Sequence, residues 1–309
     1  MMRLLMAALG AMLVAGPVKA QIQMVIPFPA GGASDILGRA LQPELGAALG
    51  AQVVIRNVGG ASGTIGAGEV ARAHPDGNTI LLTPIGPVAI QPHMRAHPPY
   101  RLSAFAPVCQ VTDSPVVMMT PKASGLRTWA EVTARAREAK GDFPYASSGI
   151  GTIPHISMVA LSRRAAVPML HAPFRGSGDV MLAFQQGTIA LFSDQAVLVR
   201  QYDLHPIATF TAARLPDFPD TPTMRELGQD LVFSIWSGLY LPAGASAELI
   251  RRFETACRRT MENAAVRETL ARIAQPVRFR DAAEFAAFSR RESETFGRIV
   301  EENGMRTAD

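Results

Sequence analysis

Hydrophobic positions change period along this chain, and each change marks an element. Apolar residues alternate at Ile22, Met24 and Ile26, as in a half-buried strand, and then recur at 36, 37, 40, 41, 45 and 48, as on one face of a helix. Between the two patterns lies Pro27-Phe28-Pro29-Ala30-Gly31-Gly32-Ala33-Ser34-Asp35. Its two glycines let backbone N–H groups point into one space, and the first helical turn leaves its amides unpaired with a partial positive charge. Such a turn either holds an anion or is a tight connection capped by Ser34 or Asp35.

The alternation of strand and helix continues. Residues 52–56 read as a short buried strand, 57–64 as a second glycine-rich loop, 65–73 as a helix and 79–83 as a strand. Continuous apolar strands in a βαβαβ series predict a parallel sheet covered on both faces, with ligands gathered at the strands' carboxyl ends. A proline-rich excursion at 84–99 and two apolar segments, 107–111 and 115–120, interrupt the series. Thr128 with Glu131 then forms a capping box for a helix through Lys140. A strand at 143–146 runs into Ser147-Ser148-Gly149-Ile150-Gly151-Thr152, and a helix follows from Ile153 with Pro154 in its first turn. His155 lies in that same turn. A third instance is Met169-Leu170-His171-Ala172, then Pro173-Phe174-Arg175-Gly176-Ser177-Gly178, then a helix over 179–186. A strand over 188–192 is expected to end at Ser193-Asp194, where another helix begins. Apolar segments at 231–236 and 239–242 precede helices at 246–262 and 263–274, a strand at 277–279, and a helix opened by Asp281 with Glu284.

Two βα series joined by extended apolar stretches predict two lobes. One comprises 21–113 with 239–309, the other 114–238, and the crossovers near 107–120 and 231–242 form a hinge. Glycine loops from both lobes would then face one cleft.

Composition narrows the function. The 309 residues are 48% hydrophobic, enough for sizeable cores. Residues 1–20 carry the charged, apolar and small-residue parts of a secretory signal, with cleavage expected after Ala20. The apolar run falls short of the ~20 residues that span a membrane, so a periplasmic, soluble protein is expected. Thirty Lys and Arg against 26 Asp and Glu give +4, and losing Arg3 and Lys19 with the signal brings this to +2. Arginines such as Arg251, Arg252, Arg290 and Arg291 are spread over helix faces without interleaved aromatics, which argues against nucleic acid. Export would permit a disulfide, but Cys109 and Cys257 each sit in an apolar pattern, and buried free thiols are the expectation. No phosphate-loop, dinucleotide or nucleophile-elbow motif occurs, so no cofactor is expected. His93 and His97 have i, i+4 spacing, but prolines surround them and no acidic partner adjoins, so no metal site is expected.

Together, Pro27-Phe28-Pro29-Ala30-Gly31-Gly32-Ala33-Ser34-Asp35, residues 60–71, Pro75-Asp76-Gly77, Ser148-Gly149-Ile150-Gly151-Thr152 with His155, Pro173-Phe174-Arg175-Gly176, Pro219-Asp220-Thr221-Pro222-Thr223 and Leu241-Pro242-Ala243-Gly244 resemble the Bug-type extracytoplasmic solute receptors. These are the binding proteins of tripartite tricarboxylate transporters. The resemblance implies an α/β, type II (Venus flytrap) periplasmic-binding fold with two doubly wound sheets, closing over a small organic carboxylate held largely by backbone amides and water. It also implies membrane permease subunits as partners and, for the chain itself, a monomer without catalytic activity. Carried over by position, Phe28, Gly31, Gly32, Ala33, Ser34 and Asp35 form the anion cradle of the first lobe, with Thr83 on the same wall. Ser147, Ser148, Gly149, Thr152 and His155 meet the ligand from the second lobe, with Phe174, Arg175, Gly176 and Asp194 nearby. Phe174-Arg175 stands where relatives commonly show tyrosine and lysine, replacing a hydroxyl with a ring and adding a fork-shaped donor. Two other readings stay open: an enzyme using His155 and Asp194 as acid and base, and a receptor serving a sensor.

Overall fold

The computed structural model describes residues 21–302 and 304–306; the export signal read at 1–20 lies outside the described residues. The chain opens as β1 (Gln21–Ile26), α1 (Ala33–Leu49), β2 (Gln52–Asn57), α2 (Thr64–Ala71) and β3 (Thr79–Pro84). β1 pairs in parallel with both β2 and β3, the expected βαβαβ arrangement. Helix α1 stops at Gly50, whose φ of 65° is left-handed and whose N–H bonds back to Ala47 and Gly46. Part of the proline-rich segment is more ordered than its composition suggests, because residues 86–93 wind into two short helical turns that bury Val88, Ala89 and Ile90.

β4 (Phe105–Thr120) is a single 16-residue strand through both of the apolar segments read separately in the sequence. The next elements are α3 (Trp129–Glu138), β5 (Pro144–Ser147), α4 (Ile153–Arg164), β6 (Leu170–Pro173), α5 (Ser177–Gln185), β7 (Phe192–Gln195), α6 (Val197–Gln201) and β8 (His205–Thr209). β9 (Ser234–Pro242), α7 (Ala247–Glu262), α8 (Ala264–Arg272), β10 (Val277–Arg280) and α9 (Ala282–Glu302) complete the described chain. Thr128 and Glu131 make the reciprocal bonds of the capping box, and Asp281 accepts from the amide of Glu284. The strand expected at 188–192 begins later, at Phe192. Thr188 is occupied in closing α5, its N–H and hydroxyl both bonded to the carbonyl of Ala183.

Two sheets form, as expected, and they share one strand, β4. The strands follow one path, β2-β1-β3-β9-β4-β7-β5-β6, with β8 and β10 also on β4. β4 is long enough to serve both halves: it pairs antiparallel with β9 from Phe105 with Pro242 to Pro115 with Ser234, and its later residues pair with β7 and β8. The stretches read as crossovers are therefore two neighbouring strands of one ladder.

One core cluster gathers Met24, Leu37, Leu41, Val108, Leu239, Phe253 and Leu270, joining the first βα units to the C-terminal helices; another, around Val117, Ala146, Phe184 and Phe192, lies on the other side. Cys109 and Cys257 are not free thiols. They form a disulfide across a sequence separation of 148. Both are buried, as their apolar surroundings indicate, but α7 packs on β4 and brings the two buried sulfurs together. Closing so long a loop removes much of the unfolded chain's freedom, an effect of about 4–5 kcal/mol in the chain-entropy account.

Candidate functional site

Three of the glycine-rich turns end in helices whose N-termini converge. α1 begins after Gly32, α4 after Thr152 and α5 after Gly176, and none of the three has a side-chain cap. A small cavity of about 30 Å³ lies where they meet, lined by Phe28 and Ser34 from one half and by Ser148, Thr152, Ile153, Pro154, Ser177, Asp194 and Gln195 from the other. Pro84, Ile85, Gly86 and Ile235 complete its wall. Ser34 stands at the second helical position of α1, where the amide has no intrahelical carbonyl to meet. Three aligned helix starts favour negative charge. No Lys, Arg or His lines the cavity.

Five residues read from the sequence line this space: Phe28, Ser34, Ser148, Thr152 and Asp194. The others serve the walls or lie elsewhere. Asp35 is not a helix cap, since the N-cap position is Gly32. Its buried carboxylate turns back, accepting from the Gly31 amide and Arg39 Nε at 2.9 Å each and from Asn57 Nδ2 at 3.1 Å. Burial pushes the Asp35 carboxyl up, but these donors outweigh it and hold it below the usual carboxylate range. Gly31, Gly32 and Ala33 shape the same turn, and Thr83 is fully buried on β3 with its hydroxyl on the Pro84 carbonyl.

On the opposite side, Ser147 Oγ lies 2.7 Å from His171 Nε2 and bonds within the loop to Gly149. His155 stacks on His171 with ring centroids 4.1 Å apart, and its Nδ1 accepts from the Gly151 amide. Burial pushes both imidazoles down to about 4, so they are neutral braces of the loop at ordinary pH. Of the acid–base pair suggested by the sequence, only Asp194 lines the cavity. Gly149, Phe174 and Arg175 line an outer groove instead. Arg175 is 76% exposed and paired with Asp179 at 2.8 Å. His93, read as a loop histidine, is half-buried against Ser293 Oγ at 2.8 Å, and no metal-binding cluster occurs among the described residues.

The two walls touch. Ser177 Oγ accepts from the Ala33 amide at 3.4 Å, Tyr202 donates its hydroxyl to the Gly31 carbonyl at 2.6 Å, and Ser62 and Gln91 both donate to the Ile150 carbonyl. Glycine makes this approach possible. A Cβ on Gly176 would lie 2.5 Å from Pro29 Cδ, and one on Gly178 would collide with the Ala30 carbonyl oxygen. The two walls thus meet beside the cavity. Ser177 and Tyr202 were not found from the sequence. Ser177 had a signal, as the first helical residue after Gly176; Tyr202, at the end of a short helix, had none.

Residues 37–305 match the model of the tripartite tricarboxylate transporter family receptor. Protein BugT of Bordetella pertussis is 30% identical over 271 residues, covering 84% of this chain and 83% of that protein. Among solved structures, the periplasmic binding protein BugD superposes with a TM-score of 0.86 at 26% identity, covering 94% of this chain and 99% of its own. MatC from Rhodopseudomonas palustris, solved with bound malate, gives a TM-score of 0.84 at 26% identity, covering 92% and 100%. With its glycine turns, its three converging helix starts and these relatives, the chain belongs to the tripartite tricarboxylate transporter receptor family.

Proposed function

We propose that this protein is a periplasmic receptor that captures a small carboxylate-bearing metabolite in the cavity between its walls and delivers it to the permease subunits of a tripartite tricarboxylate-type transporter. The convergence of three helix N-termini on one cavity carries this reading. Each charge-assisted bond from an amide or hydroxyl contributes ~1.5–3 kcal/mol, so three or four suffice for a micromolar affinity of about −8 kcal/mol. The malate bound by MatC is a ligand of this chemistry. Ser34, Ser148, Thr152 and Ser177 with the α1 and α4 amides would hold the carboxylates, Phe28 would pack on the carbon chain, and Asp35, Ser147 and His155 would keep the loops in shape.

The two sides act as lobes, 21–113 with 239–309 against 114–238, closing on the ligand about the β4–β9 ladder. The disulfide supports an oxidising compartment such as the periplasm. The protein works as a monomer and binds without transforming its ligand. Thermal denaturation of the mature protein with malate, succinate and a panel of other organic acids tests the reading. A ligand present at a hundred times its Kd adds about 2.7 kcal/mol and raises Tm by several degrees; a flat response to every carboxylate, with the protein verified as folded, overturns it.

A further inference from the structure

Asp194 is hard to reconcile with a cavity that takes an anion. It is 3% exposed and lines the same space as the helix starts. One carboxylate oxygen accepts from the Gln195 amide at 2.7 Å, and the Ser177 hydroxyl also bonds to the group. No cation offsets it. On α1 Asp35 and Arg39 pair with each other, and Glu44 lies more than two turns beyond Asp35. On α5 Asp179 is taken by exposed Arg175, and on α6 Arg200 is taken by Asp217. α4 has no acidic residue in its first turn, β4 places Val117 opposite Asp194, and β9 contributes Ile235. His155 and His171 are stacked away from the cavity lining, and Tyr202 is directed to the Gly31 carbonyl. Burial therefore dominates, pushing Asp194 up to about 7, with only the Gln195 and Ser177 bonds in opposition.

Two carboxylates enclosed together cannot both remain ionised without a cation or a proton between them. A ligand dianion entering beside Asp194 brings no cation. Resting on the receptor reading above, we propose that Asp194 enters the complex as the acid and donates its hydrogen to a ligand carboxylate, so that capture of each dicarboxylate dianion takes up one proton. The proton comes from solvent onto the Asp194 carboxylate, and its O–H then bonds the ligand oxygen; no covalent bond in the ligand changes.

Calorimetric titration of malate and succinate between pH 7 and 9, in buffers of different ionisation enthalpy, reads the proton count directly on the unaltered protein. The expected result at pH 8 is uptake of close to one proton, with affinity falling about tenfold per pH unit above 7. Asp194→Asn, which keeps a fixed N–H donor in place of the acid, should bind the same dianions with a pH-independent affinity. Dicarboxylate binding without proton uptake overturns this inference and leaves the receptor reading intact. A preference for zwitterionic glutamate that Asp194→Asn abolishes also overturns it, because Asp194 would then be the ionised partner of an ammonium group. Failure of every dicarboxylate to bind overturns both readings.

Discussion

Two aspartates beside one cavity meet opposite fates. Asp35 and Asp194 are both buried, yet Asp35 is held below the usual carboxylate range and Asp194 is pushed up to about 7. Burial acts upward on each. The difference lies in what each finds at short range: Asp35 has a guanidinium, a carboxamide and a backbone amide, whereas Asp194 has one amide and one hydroxyl. The wall built on α1 thus keeps a charged brace behind its surface. The wall built on β7 presents a titratable group at its surface. The same residue type serves rigidity on one side and chemistry on the other.

The sharpest test of this contrast compares the two amides. Asp35→Asn removes the carboxylate that three donors share and should cost about 2 kcal/mol of stability by denaturant unfolding at pH 8. Asp194→Asn should do the reverse. Between pH 4 and 7 the unfolded chain ionises this aspartate while the folded protein keeps it protonated, so stability falls as pH rises through that window, and the variant recovers the loss at pH 8. Destabilisation by Asp194→Asn at pH 8 would break the contrast.

A smaller effect belongs to the histidine stack. His155 and His171 protonate near 4 in the folded protein but near 6.5 when unfolded, so the unfolded state binds more protons between those values and stability declines as pH falls through them. After allowance for partial exposure the loss is ~2 kcal/mol. Replacing both histidines with glutamine should flatten the acid limb of the unfolding curve; an unchanged limb would remove the stack from the account. The smallest effect is expected at Arg175. It lies in the outer groove and 76% exposed, so Arg175→Ala should leave dicarboxylate affinity within about twofold by calorimetry. A tenfold loss would show that the groove takes part in binding.

Much of this organisation is readable from local pattern. The βα units, the capping box of Thr128 and Glu131, the Asp281 cap and the three glycine turns follow from short-range periodicity and cap chemistry, and Phe28, Ser34, Ser148, Thr152 and Asp194, carried over by resemblance, line one cavity. What escaped depends on partners distant in sequence. Cys109 meets Cys257 only because α7 packs on β4, and Ser177 meets the Ala33 amide only when the walls are together. Asp35 was misread for a related reason. Arg39 one turn later was visible, but Asn57, on another strand, is what helps turn the carboxylate away from the cavity. That one 16-residue strand serves both sheets was missed because Thr112, Asp113 and Ser114 interrupt its apolar run and divide it into two segments.

The pairing of β4 with β9 also sets how such a molecule can move. A connection of two loose segments would swing freely and lose no backbone bonds in doing so. Here residues 113–115 of β4 and 234–236 of β9 run side by side as a short two-stranded neck, between the part of the ladder flanked by β3 and β10 and the part of β4 flanked by β7 and β8, and such a neck yields to torsion more readily than a wider sheet. Any rotation of one wall relative to the other would pass through that neck, and parting the walls would break the bond from Tyr202 to the Gly31 carbonyl.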